Sequence, residues 1–323
     1  MVMQFRATPI CFLLSLAVTC CLLSGCATFN LGASLKDKLT ASNNRQWTPE
    51  LATVPFAKID GPQYTLHNIR NCNYVTAEDF VVDYYDRQIL LNQIQSVDFI
   101  VVPFPKTRRL AHTMISFGLS DGSYLALSVE VRKELGEKFS PILGIGNKFE
   151  LIYVLSDERD VIRLRTRHRD SDVYVYPTVA NAEQAQNLFV DVIKRINKLA
   201  VEPEFYNSIK NNCTTNIAGH VNQVSPDKIL YDWKVLLPGF SAQYAYELGL
   251  LDNRIPLEDL TEVALVNDLA EEHFEDPNFS QHIRSRRSKI DQYLARQQRR
   301  EPTLRGRGDE YLQSRSWGRR VFR

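Results

Sequence analysis

Cysteine is scarce where a disulfide scaffold would need it. Of the six in the chain, Cys11, Cys20, Cys21 and Cys26 fall in the first 26 positions, leaving Cys72 and Cys213 for the rest. That excludes a multi-bridge framework and leaves one Cys72–Cys213 pair open, because spacing alone does not decide it. No second apolar run of spanning length follows the N-terminal one, so no permanent membrane helix is expected. Phosphate loops and metal-ligand signatures are also missing, and neither a cofactor nor a metal is expected.

What is present begins with a charged start, Met1 to Arg6, and an apolar run from Ile10 to Leu23 that is short for a permanent span. The run exits through Leu22-Leu23-Ser24-Gly25-Cys26, which resembles the lipobox of bacterial lipoproteins. The resemblance implies a signal peptide over 1–25, lipidation of Cys26 and anchoring in a membrane by its acyl chains. Ala27, rather than Asp, points to the outer membrane with the protein facing the periplasm. A plain secretory signal cut at Ala27 is the alternative. Export removes the chain from nucleic acid, which is not expected as a partner.

Residues 26–55 read as a tether, 56–255 as a globular domain and 256–323 as a basic, helical or partly disordered tail. From Gln281 onward there are 13 Lys or Arg against 4 Asp or Glu in a chain of net charge +1. An anionic envelope surface would suit that tail; a merely solvated one is the bland reading. Within the domain, 98–104 predicts a strand, and 112–118 with 124–130 a hairpin about Ser120-Asp121-Gly122. Strands are also expected at 149–155, 161–166 and 173–176, and an extended segment at 232–239. Helical spacing marks 181–199, a helix starting near Asn211-Asn212-Cys213, and another over 241–250. These elements predict an α+β fold in which helices pack on a mostly antiparallel sheet.

Cys213 is the foremost candidate for chemistry. A thiol in the first helical turn meets aligned amides that favour thiolate, and its Asn and Thr neighbours argue against apolar filler. A thiol nucleophile needs a base, and His112 at a strand start is the best placed. His67, His168, His273 and His282 compete, whereas His220, two turns further along the same helix, cannot easily reach the sulfur. Glu130 or Ser128 on the returning hairpin arm could orient the imidazole, with Glu130 preferred. The alternation of Arg163, Arg165, Arg167 and Arg169 puts four guanidinium groups on one strand face, read as a solvated face paired with acids at 157–160 or as a cradle for envelope anions.

The blocks His112–Gly118, Ser128–Glu134, Asp157–Asp160 and Phe205–Asn216, continued by Leu236–Gly239 and Tyr246–Leu251, resemble the Lnb N-terminal periplasmic domain family, over roughly Asp60 to Asp252. The resemblance implies a circularly permuted papain-like thiol fold, similar to the lecithin:retinol acyltransferase branch of the NlpC superfamily, in which the His precedes the Cys. It also implies acyl transfer from phospholipid to a lipoprotein amine through a Cys-His site. Asn212, Thr214, Ser128 and Arg132 are the candidates for substrate or oxyanion contacts. A cysteine amidase or peptidase acting on envelope peptide, and a non-catalytic envelope scaffold, are the rival readings.

Overall fold

A computed structural model describes residues 40–296 apart from 141, 142 and 227. The expected signal peptide, Cys26, the first part of the tether and the end of the tail (297–323) lie outside the described residues. From Asn43 onward the described chain belongs to one compact unit.

Among the described residues ten strands form: β1 (Phe56–Asp60), β2 (Gln63–Arg70), β3 (Asn73–Tyr74), β4 (Phe80–Val81), β5 (Tyr84–Leu90), β6 (Ile94–Phe104), β7 (Thr107–Leu119), β8 (Tyr124–Arg132), β9 (Glu150–Asp157) and β10 (Tyr174–Pro177). Eight share one sheet, in the order β1-β2-β9-β8-β7-β6-β10 with β5 also on β2, and β3 with β4 makes a separate two-stranded piece. Every pairing in the large sheet is antiparallel except a short parallel contact between β2 and β9 at Arg70 and Ser156. The fold is thus α+β with a mostly antiparallel sheet, as the strand pattern predicts. The β7–β8 turn is closed by Gly122 at φ +83°, a left-handed conformation that glycine adopts freely, while Asp121 accepts from the Ser123 amide at 3.0 Å.

Among the described residues the helices that lie between or after the sheet strands include α1 (Glu158–Thr166), α2 (Ala182–Val201), α3 (Cys213–Val224), α4 (Trp233–Leu236), α5 (Ser241–Glu247), α6 (Leu257–Ala264), α7 (Asn267–Glu272) and α8 (Phe279–His282), and 288–296 are helical as well. The apolar stripe of α2, with Leu188, Phe189, Val192 and Ile196, joins Phe117, Leu127 and Tyr153 in the main core on one face, where Ile217 of α3 also packs. On the other face Met114 and Ala126 meet Val161 and Ile162 of α1 and Phe279 and Ile283 from the C-terminal helices. Burial on both sides explains why most of β8 and all but the last residue of β9 are buried, rather than every second position.

Two expectations are overturned. Residues 161–166 are helical: the Asp157 carboxylate accepts from the Arg159 amide at 3.0 Å and starts α1, and the apolar positions fall on one helical face. The 232–239 segment is not extended, because Asp232 caps α4 and Pro238 opens a 3₁₀ turn over Pro238–Phe240. The compact unit also takes in more chain than the pattern suggests. Residues 43–55, read as tether, bury Trp47 and Leu51; 257–296, read as tail, sinks Leu260, Phe279 and Ile283 into the core and Arg284 between Asp98 and Glu158. The basic residues masked the apolar ones that do the docking. Among the described residues no helix is long and apolar enough to cross a membrane.

Candidate active site

The site is built where the sheet forks. Residue pairing between β7 and β8 runs from Gly118↔Tyr124 to Met114↔Ser128 and stops. Beyond it β7 stays with β6, Val102 opposite His112, and β8 stays with β9, Glu130 opposite Ile152. Strand alternation puts His112, Ser128 and Glu130 on the α1 face and Thr113 on the α3 face. The parted strands let the two faces communicate, and the N-terminus of α3 comes up to the fork.

Cys213 is the first residue of α3. Asn212 caps the helix, accepting from the Thr215 amide at 2.9 Å while its own amide donates to the Thr215 hydroxyl at 2.9 Å. The Asn212 side-chain amide is also engaged, with the Ser208 carbonyl at 2.8 Å. Thr214 turns inward and bonds Thr113 across the fork at 3.1 Å, fixing the helix end to β7. The sulfur lies 3.8 Å from the Thr214 hydroxyl, and the His112 ring and Thr113 are its nearest electrostatic influences.

Behind the ring runs a chain of polar contacts. His112 Nε2 is 2.7 Å from Ser128 Oγ, which donates to Glu130 Oε1 at 2.6 Å. Since the one serine proton goes to the carboxylate, Nε2–H donates to the serine oxygen, and Nδ1 is the nitrogen left for the sulfur. Nε2 also stands 3.3 Å from Glu130 Oε1. Buried Arg165 on α1 donates to the same oxygen at 2.9 Å and to the Val161 carbonyl of its own helix at 3.0 Å.

The electrostatics follow from this geometry. Burial works against charge on every member, yet the Glu130 carboxylate and the Cys213 sulfur raise the His112 imidazolium to about 9. Burial likewise opposes the thiolate, and the His112 hydrogen bond and charge outweigh it, lowering the Cys213 thiol to about 7. Glu130 is held well below the usual carboxylate range by His112 and Arg165 against its own desolvation. Values that cross in this way describe a thiolate-imidazolium pair between about 7 and 9.

Cys213, His112, Glu130 and Arg165 line one open cleft of about 370 Å³, with Phe104, Phe139 and Leu236 among its apolar walls. Gly239 lets the turn that carries Leu236 and Pro238 lie against β7: a Cβ there would sit 2.0 Å from the Arg108 carbonyl oxygen. On the far side of Thr214 lies a second, smaller and strongly apolar cavity of about 140 Å³, between α2, α3, α5 and the sheet, walled by Ile115, Leu188, Ile217 and Leu248.

The expected thiol, ring and carboxylate are therefore together, and Ser128 stands between the latter two. Two expected contacts fall elsewhere. Arg132 is buried away from the cleft: it donates to the Leu51 and Ala52 carbonyls and to Asn43 at 2.7–2.8 Å and stacks on Trp47, holding the 43–52 segment. The Asn212 side chain is spent on the helix cap. The Arg row divides because it is helical: Arg165 turns inward, while Arg163 and Arg167 cover the Phe274 ring at 3.8 and 4.5 Å. Arg165 and Thr113 are the site residues that the sequence reading missed; a helical reading of 158–166, signalled by the Asp157 cap, would have found the first. His220 bonds Tyr153 and Asp191, at 2.8 and 2.7 Å, and plays no part. Cys72 and Cys213 are both free thiols.

Residues 81–239 match the Lnb N-terminal periplasmic domain, a span that contains every member of the cleft cluster just described. No curated protein and no solved structure matches the chain. A periplasmic domain family supports a periplasmic location for this protein. Through residues 81–239, the chain belongs to the Lnb N-terminal periplasmic domain family.

Proposed function

We propose that the protein is a periplasmic thiol enzyme that moves an acyl group through a thioester on Cys213. The observation that carries the reading is a thiol at a helix N-terminus that shares an open cleft with an imidazole whose Nε2 is held by Ser128 and Glu130. The order His before Cys, with the His on a strand and the Cys opening a helix, supports a circularly permuted papain-like relationship. The thiolate attacks an acyl carbonyl carbon, and the oxyanion is met by first-turn amides of α3, including that of Cys213. On collapse the carbon-oxygen bond of the donor ester breaks, and His112 gives its proton to the departing alcohol. Neutral His112 then takes a proton from the acceptor as it attacks the thioester, and the thiolate is regenerated.

An amine acceptor makes the protein an acyltransferase and water makes it a hydrolase. The apolar cavity behind Thr214 favours a donor with a hydrocarbon chain, such as phospholipid, over envelope peptide. Lipid attachment through Cys26 in the outer membrane would hold the cleft near such a donor, and the basic C-terminal end would suit an anionic envelope surface. The rival reading, an amidase acting on peptide, draws on the polar walls of the cleft, including Lys133 and Arg169. The test is mass spectrometry of Cys213 after incubation with phospholipid vesicles. A hydroxylamine-labile acyl adduct that is absent in Cys213→Ser supports acyl transfer. Cleavage of envelope peptide without a lipid adduct selects the amidase, and an unreactive thiol leaves only a scaffold.

A further inference from the structure

The turn that joins α7 to α8 brings together three side chains that the chain spaces as His-x₂-Asp-x₅-His. His273 ends α7, Asp276 follows in the turn, and His282 ends α8. One ligand atom from each lies within 4.8 Å of the others, and all three residues are part-buried. The linear pattern announces no metal-ligand grouping, because this spacing matches no familiar signature and only the turn closes it.

The local geometry is suited to a cation. His282 Nε2 and Asp276 Oδ2 are 3.3 Å apart. With bonds of about 2.0–2.1 Å, two ligand atoms on a tetrahedral ion are separated by roughly 3.4 Å. The His273 and His282 rings lie against each other, centroids 4.0 Å apart and 13° from parallel, so the two rings must turn toward each other for their nitrogens to converge on one ion. The Asp276 carboxylate is oriented by its own turn, since Oδ1 accepts from the Asn278 amide at 2.7 Å and leaves Oδ2 outward. The fourth position faces solvent, as side-chain exposures of 24% for His273 and 36% for His282 imply.

We propose that His273, Asp276 and His282 form a binding site for a divalent transition cation of the zinc class, which ties together the two ends of the 273–282 turn. Imidazole and carboxylate donors favour zinc over magnesium or calcium, which take oxygen sets. The turn is already tied to α1 by Arg159 on the Asp276 carbonyl and by Arg163 and Arg167 over Phe274. The next residues, Ile283 and Arg284, enter the core. A cation bridging both ends of the turn restrains the segment that brings them there.

The experiment uses the full chain in the Cys213→Ala background, which removes the thiol-imidazole pair as a competing ligand. The chelator-stripped protein is titrated with zinc chloride against a chromophoric competitor. We expect one equivalent bound, an unfolding midpoint raised by roughly 5 °C at a hundredfold excess over Kd, and no displacement by magnesium. His273→Ala/His282→Ala abolishes both effects. Asp276→Asn, which keeps the Asn278 cap acceptor, weakens binding at least tenfold while the metal-free midpoint stays unchanged. Absence of saturable binding below about 100 µM, far weaker than three such ligands should give, overturns the site, and so does an equivalent bound unchanged by the double substitution.

Discussion

Two free cysteines share this domain, both nearly sealed from water: Cys72 is 3% exposed and Cys213 is 7%. Their acidities move in opposite directions. Cys72 is pushed up to about 11 by burial and then by the Asp160 carboxylate, although Arg70 pulls the other way. Cys213 falls to about 7 because the His112 hydrogen bond and charge overcome the same burial. Burial is therefore not what separates an inert thiol from a nucleophile. The sign of the nearest charge decides, and the fold supplies an anion to one sulfur and a cation to the other.

The contrast can be broken most forcefully at Cys72. Asp160 holds Arg70 through contacts of 2.7–3.2 Å and accepts from the Cys72 amide at 2.7 Å. Asp160→Asn leaves Arg70 buried without its counter-ion and should cost about 3–5 kcal/mol of stability by urea unfolding. Under native conditions Cys213 labelling should be unchanged in this variant, and the Cys72 thiol should become more acidic. An unaltered urea midpoint would show that Asp160 does not dominate that pocket.

The largest change at the other thiol is expected from His112→Ala. At pH 7 a thiol with its pKa near 7 is about half ionised, and one returned to 9 or above is about 1% ionised, so alkylation of Cys213 should slow roughly fiftyfold. The pH profile carries the sign. In the native protein the thiolate exists above about 7 and disappears as pH falls through that value, so labelling should rise through about 7 and then level. In His112→Ala the rise should move to 9 or beyond; a profile that stays in place would remove the ring from the sulfur. Cys72 serves as the internal control, silent throughout that range.

Glu130→Gln retains shape but removes the anion that keeps His112 charged, and a drop of roughly fivefold in Cys213 labelling at pH 7 is expected, with the profile moved up about one pH unit. Arg165→Met should move it in the same direction by less, since Glu130 keeps its Ser128 and His112 contacts. The smallest effect concerns the scaffold: Asn212→Ala removes the cap of α3 and should cost about 1 kcal/mol by thermal unfolding. A loss of reactivity larger than the loss of stability would mean that the cap also positions the sulfur.

Much of this was legible because its causes are local. The hairpin is written in Asp121-Gly122, α2 in its Asn181 cap and apolar spacing, and the N-terminus of α3 in Asn212-Cys213-Thr214-Thr215. The failures were those where local signals compete. In Val161-Ile-Arg-Leu-Arg-Thr166 the alternation suits a strand as well as a helix, and only the cap at Asp157 and the packing of Val161 and Ile162 against Met114 and Ala126 choose. Arg132 looked like a cleft residue because it lies two positions beyond Glu130, yet the Trp47 ring and the Leu51 and Ala52 carbonyls draw its guanidinium to the 43–52 segment. Asp98 and Arg284 are 186 positions apart, and nothing in either neighbourhood announces the pairing.

The sequence by itself determined which residues could be nucleophile, base and carboxylate, because side-chain chemistry and the first turn of a helix are properties of short stretches. Only the tertiary structure decided that they meet. His112 and Thr113 point to opposite faces of β7, and the thiol arrives with α3 on the Thr113 side. The ring reaches that sulfur because β7 and β8 part beyond Met114 and Ser128. That parting is set by which neighbours each strand keeps, a choice made by packing across the whole sheet rather than by any segment alone.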